Sequence, residues 1–210
     1  MARIAEYTRE TRETQITVKL NLDGTGTFQG GYPIGFMSHM LNTFARHGLF
    51  DIEIYASGDL EVDQHHLVED SGITLGSCFA KALGDKRGTQ RIGNCLFPMD
   101  ETLARAVVDL SGRPYLFFDA GISGIPFMSS PLPVPGGTGT AVFQTDTVED
   151  FWHGFVSAAN ITMHLEILRG RSDHHKIEAI FKAAARSMRD ACTIDPRIGN
   201  SILSTKGVLA

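Results

Sequence analysis

His65-His66-Leu67-Val68-Glu69 and His174-His175-Lys176-Ile177-Glu178 repeat one pattern, His-His-x-x-Glu, in the two halves of a 210-residue chain. Asp63 and Asp173 stand just ahead of the two copies as the expected N-caps, so each motif is expected to open a helix. On a helix a residue and its i+4 neighbour share a face, whereas adjacent residues point about 100° apart. His65 with Glu69, and His174 with Glu178, can therefore each grip one ion, while His66 and His175 must look elsewhere. The economical arrangement is reciprocal: each motif gives a His and a Glu to one metal, and its other His to the metal held by the opposite motif. A single His-His pair reads equally well as an exposed helix start. Two copies with the same Glu offset favour a paired metal site.

Outward from the motifs, apolar periodicity supplies the remaining elements. Ile16, Val18, Leu20 and Leu22 alternate with polar residues as a half-buried strand closed by Asp23-Gly24, and a short strand through Phe28 follows. Phe36, Met37, Met40, Leu41 and Phe44 form a helical stripe, and Phe50, Ile52 and Ile54 another strand. The first His-His helix then runs to Leu83, where Gly84-Asp85-Lys86-Arg87-Gly88 ends it. The order recurs with strands at Leu103 to Leu110 and Tyr115 to Phe118, a helix at Thr147 to Asn160, a strand through Ile161, Met163, Leu165 and Ile167, and the second His-His helix. Gly121 to Gly139, rich in Gly, Pro and Ser, is read as a long loop. Each half is thus strand-strand-helix-strand-helix, with residues 1–90 carrying the first motif and 91–210 the second and the Ser-Thr-Lys tail. Together they form one structural unit. The expected fold is α+β, two sheets with helices packed between them and the two motifs related by pseudo-symmetry.

Composition narrows the function classes. A hydrophobic fraction of 42% suits a folded domain with a real core. No apolar run is long enough to span a bilayer, and Met1-Ala2-Arg3-Ile4-Ala5-Glu6 lacks the apolar core of a secretion signal, so a cytoplasmic protein is expected. Cys78, Cys95 and Cys192 are odd in number and widely spaced, which points to free thiols, not to disulfides or a zinc ribbon. A net charge of −5 without any basic block argues against nucleic acid.

Five ordered motifs carry a resemblance across Arg3 to Leu209. They are Arg9-Glu10-Thr11-Arg12-Glu13-Thr14, Gly35-Phe36-Met37-Ser38-His39-Met40-Leu41, Asp63-Gln64-His65-His66-Leu67-Val68-Glu69-Asp70, Asp173-His174-His175-Lys176-Ile177-Glu178-Ala179 and Ser204-Thr205-Lys206-Gly207. The chain closely resembles the imidazoleglycerol-phosphate dehydratases, manganese enzymes of histidine biosynthesis with a ribosomal protein S5 domain 2-like fold. The resemblance implies two Mn2+ per active site, one taking His39, His66, His174 and Glu178, the other His65, Glu69 and His175. Asp150 stands where the family often has a further histidine ligand, and its carboxylate suits manganese as a hard donor. His153 and His164 are weaker substitutes, reading as a surface and a strand histidine. Ser38 replaces the acidic residue common before His39.

The implied reaction is dehydration of imidazole glycerol phosphate to imidazole acetol phosphate, in which metals on the imidazole nitrogens stabilise an imidazolate-like intermediate. Glu13 is implied as a proton-transfer group and His47 as a neighbour in the same pocket, with catalytic roles also for Glu69 and Glu178. Without the resemblance Glu13 would read as a strand-edge charge, and His47 as a helix C-terminal imidazole favoured as a cation. The histidine ligands and Glu69 would also contact substrate, and Arg91, Arg113, Ser204, Thr205 and Lys206 would hold its phosphate. A homo-oligomeric cage of about 24 subunits, with active sites at subunit contacts, is implied as well. A dinuclear phosphatase and a metal-stapled scaffold are the competing readings.

Overall fold

Alternation of buried and open positions builds two sheets, each with one wet face. The computed structural model describes residues 3–128, 133–134, 137–138 and 142–209. In the first half, β1 (Ile4–Glu10), β2 (Thr14–Asn21), β3 (Phe28–Gly31) and β4 (Asp51–Gly58) form a sheet in the order β1-β2-β4-β3. β1, β2 and β4 pair antiparallel, and β3 runs parallel to β4 through the crossover helix α1 (Gly35–Gly48). Helix α2 (His65–Leu83) follows β4.

The second half repeats this layout. β5 (Ile92–Met99), β6 (Thr102–Asp109) and β7 (Tyr115–Asp119) precede the crossover helix α3 (Thr147–Ala159), β12 (Thr162–Arg169) and α4 (Asp173–Cys192). The sheet order is β5-β6-β12-β7, again with three antiparallel strands and one parallel to the third. Each half therefore opens with one more strand than the expected strand-strand-helix-strand-helix. Both additional strands lie at sheet edges, and Pro98 in β5 is tolerated there because an edge position need not donate to the ladder.

Between β7 and α3 the described residues include four two-residue strands, three of them inside the Gly121–Gly139 stretch expected to be loop. β8 (Phe127–Met128) pairs with β11 (Val142–Phe143), and β9 (Pro133–Val134) with β10 (Gly137–Thr138). The rest of the expected loop within 129–141 lies outside the described residues.

Ile16, Val18, Leu20, Ile52 and Ile54 from one sheet, and Ala104, Ala106, Val108, Met163 and Leu165 from the other, face a shared core filled by the helices. α2 lies on β1 and β2, and α4 on β5 and β6, but the helices pair across the halves, α2 with α3 and α1 with α4. The α2–α3 approach is backbone-close. A side chain at Gly72 would meet the Phe151 carbonyl at 2.1 Å, one at Gly76 the Phe155 carbonyl at 2.3 Å, and one at Gly154 the Glu69 carbonyl at 2.7 Å. Cys78 and Cys192 are buried free thiols pushed up to about 12 by burial, and Cys95 is half-buried. Among the described residues no helix is long and apolar enough to cross a membrane.

Gly72→Val must part α2 from α3. A loss of about 1–3 kcal/mol or more is expected, read as a lower thermal midpoint, and an unchanged midpoint would show the approach to be looser than the structure has it.

Candidate metal centre

The helix starts differ from expectation by one residue each. Ser172 caps α4, its hydroxyl accepting from the His175 N–H at 3.4 Å, while Asp173 is the first helical residue. Gln64 is the N-cap of α2, and Asp63 just before it accepts the His65 N–H at 2.8 Å. Asp63 thus satisfies an open N–H from one position further out, and Asp173 is instead turned to Ser123 and Lys176.

Pairing of α1 with α4 brings His39 to His174 and Glu178. Glu178 Oε2 lies 3.2 Å from His174 Nε2 and 3.6 Å from His39 Nε2, and one donor atom from each residue lies within 4.8 Å of the other two. Ligands at right angles around a divalent ion are about 3 Å apart, so this set closes on an ion with small side-chain movement. Burial pushes the Glu178 carboxyl up, but Lys182, bonded to its other oxygen at 2.8 Å, together with His39 and His174, holds it below the usual carboxylate range. Glu178 is therefore an anchored, ionised oxygen donor beside two half-exposed imidazoles.

The pairing of α2 with α3 makes the counterpart. His65 Nε2 faces Glu69 at 3.7 Å, and Asp150, at the start of α3 as His39 is at the start of α1, meets His65 Nδ1 at 3.2 Å. The two carboxylates sit on opposite ring nitrogens, so this group is less converged than the first. His153 pairs with Glu149 on the outside of α3, and His164 lies between Tyr115 and Phe117 on the sheet, so neither joins a metal group.

His66 and His175 join neither group within the chain, so the reciprocal exchange expected between the two motifs is not made in one subunit. Each turns Nδ1 to a carboxylate of its own half: His66 to Asp59 at 3.0 Å, with Glu13 at 3.8 Å, and His175 to Glu101 at 2.8 Å. The hydrogen bond that His66 donates to Asp59 raises the His66 pKa, and the Ser172 N–H and His175 bring Glu101 down to about 2. A carboxylate on Nδ1 fixes the tautomer and leaves Nε2 as the metal-binding nitrogen. Glu13 and Glu101 occupy corresponding turns, between β1 and β2 and between β5 and β6, each beside a motif histidine of its own half. Asp59, Glu101 and Lys182 escape a reading of the sequence because each works through a contact made in space; the Asp100-Glu101 hairpin turn is their faintest local signal.

His47 sits two turns along α1 from His39, edge-on to Phe97 at 5.3 Å. Burial, then Lys182 and Arg186, lower its pKa, which reverses the expected helix-end preference for a cation.

Arg91, Arg113, Ser204, Thr205 and Lys206 line one cleft of about 630 Å³. The Arg91 fork is already engaged by Asp109 at 2.7 and 2.9 Å, and its remaining arm by the Leu203 carbonyl at 2.8 Å, so Arg91 shapes the cleft and holds the tail. The Arg91 N–H also donates to Ala191 in the last turn of α4, whereas the metal residues stand at its first turns. At 1.5 Å per residue the cleft and the metal group of one chain are roughly 20–25 Å apart along α4.

The family model for imidazoleglycerol-phosphate dehydratase matches residues 33–188. The imidazoleglycerol-phosphate dehydratase of Acinetobacter baumannii (strain AYE) is 53% identical over 209 residues, 99% of this chain and 96% of that one. That of Lacticaseibacillus casei (strain BL23) is 49% identical over 207 residues, 99% of this chain and 100% of that one. Among solved structures, the dehydratase from Staphylococcus aureus superposes with a TM-score of 0.74 at 36% identity, over 91% of this chain and 100% of that one. The Pyrococcus furiosus enzyme in complex with (S)-C348 also gives 0.74, at 31% identity, over 96% of this chain and 99% of that one. With its duplicated sheets, its two histidine-carboxylate groups and relatives of this similarity along nearly its whole length, the chain belongs to the imidazoleglycerol-phosphate dehydratase family.

Proposed function

We propose that this hydro-lyase removes water from imidazole glycerol phosphate at sites built by more than one subunit, with two Mn2+ ions per site. The observation that supports the reading is the separation of the His39, His174 and Glu178 group from the cationic cleft by most of the length of α4. A glycerol phosphate carrying an imidazole spans no more than about 10 Å, so one molecule cannot reach both within one chain. His66 and His175, each held by a carboxylate with Nε2 left for an ion, supply the missing ligands to a neighbouring copy.

His39, His174 and Glu178 would hold one ion, and His65, Glu69 and Asp150 the other. Bound divalent cations supply Lewis-acid stabilisation of negative charge on the substrate's imidazole ring. The chain's own groups do the rest. Glu13, carried beside His66, takes or returns the carbon-bound proton or orients the leaving hydroxyl. His47, kept neutral by burial and nearby cations, is able to accept a proton. Arg113, Lys206 and the hydroxyls of Ser204 and Thr205 bind the phosphate with directional and charge-assisted bonds. Exposed Leu96, Tyr115 and Phe117 on the outer face of the second sheet are apolar area suited to subunit contact.

Supplied with imidazole glycerol phosphate and Mn2+, the purified protein is expected to form the ketone with phosphate retained. Release of phosphate would indicate a phosphatase, and absence of both products a scaffold. Subunits carrying Arg113→Ala and subunits carrying His174→Ala are each expected to be nearly inactive, yet to regain about a quarter of wild-type activity when unfolded and reassembled at equal ratio, since random mixing leaves that share of cross-subunit sites intact. No recovery in a correctly assembled particle would place both residues in one subunit's site. Asp150→Ala is expected to lose one of the two ions by elemental analysis, and an unchanged metal ratio would reduce Asp150 to orienting His65.

A further inference from the structure

Residues 121–127 and 142–146 clasp the starts of both metal helices. On the α4 side, Lys176 Nζ donates to the Gly121 carbonyl at 2.7 Å, and the Ser123 N–H and hydroxyl both donate to Asp173, the N–H at 3.0 Å. On the α2 side, the Gln64 N–H donates to Gln144 Oε1 at 2.8 Å, the Gln144 N–H returns to Gln64 Oε1 at 3.1 Å, and Gln64 Nε2 donates to the Val142 carbonyl at 2.6 Å. The two arms are joined by the antiparallel pairing of Phe127 with Phe143.

What the arms deliver is an aromatic ring. Phe127 lies over His174 with centroids 6.0 Å apart and planes 29° apart, while Phe36 meets the same imidazole edge-on at 5.0 Å and 70°. Phe143, fully buried, supports both from behind at 5.8 and 4.7 Å. His66 and His175 each have Nδ1 on a carboxylate of their own half. Among the described residues His174 has none; its carboxylate contact is Nε2 to Glu178, and the ring faces take over the task of holding its plane.

Resting on the metal reading of His39, His174 and Glu178, we infer that Phe127 is a positioning residue for the His174 ligand, and that the two arms form a strap presenting it. A flat, correctly turned imidazole costs less to bring onto an ion than one free to rotate, so the strap acts on metal affinity.

The test is Mn2+ titration of the full-length protein after chelator stripping, with free Mn2+ followed by electron paramagnetic resonance. Phe127→Leu is expected to weaken one class of site about three- to tenfold without altering the melting of the metal-free protein, and Phe127→Tyr to bind as wild type. Wild-type affinity in Phe127→Leu, or equal weakening in Phe127→Tyr, would overturn the strap. Should Phe127→Leu not fold, Gln144→Ala, which loosens the far arm, is expected to weaken the same class, and unchanged binding there would overturn it equally. Wild-type protein that takes up no Mn2+ would instead remove the metal reading beneath it.

Discussion

Everything at the centre depends on helices packing across the duplication and not within it. α1 of the first half lies against α4 of the second, and α3 of the second against α2 of the first. Each histidine-carboxylate cluster consequently draws on both halves: His39 of α1 meets the His174–Glu178 pair on α4, and Asp150 of α3 meets His65 on α2. The α2–α3 contact requires backbone against backbone at Gly72, Gly76 and Gly154, which is why no larger residue fits there.

The four motif histidines are not equivalent, and their environments sort them by task. His66 and His175 are turned by carboxylates of their own half through Nδ1, and the nearest carboxylate to His175 Nε2 is the exposed Asp100 at 4.0 Å. His174 is held by aromatic faces, and its Nε2 is directed to the anchored Glu178. Glu178 can remain ionised in a mostly buried position because Lys182 takes one oxygen, leaving the other for the imidazoles or an ion. The two imidazoles beside this fixed carboxylate are about half exposed, so the cluster is open to solvent.

Much of this was legible in the residue order, and the failures have local causes. The buried strands β2, β4, β6 and β12 announce themselves because their inner faces are strongly apolar, whereas β1 and β5 do not. At the sheet edges β1 contributes only Ala5 and Tyr7 to the core, and β5 carries a proline, so neither shows the alternation that burial on a full face imposes. The Ser172 cap was hidden beside Asp173, a residue type equally suited to the place, and only the α4 backbone decides which of the two is helical. The strap residues Phe127, Phe143 and Gln144 lie within or just after a Gly- and Pro-rich stretch whose composition says nothing of what it will be laid against.

The sequence by itself determined the duplicated unit and the helical position of each His-His-x-x-Glu motif. These follow from spacing, and spacing is a property of neighbours along the chain. Only the tertiary structure decided that His66 and His175 are turned to carboxylates of their own half, that the Arg91 fork is taken by Asp109, and that the cleft and the His174–Glu178 pair lie at opposite ends of α4. Those outcomes depend on which surfaces meet, and a helix period of 3.6 residues fixes the face a side chain occupies but not what faces it.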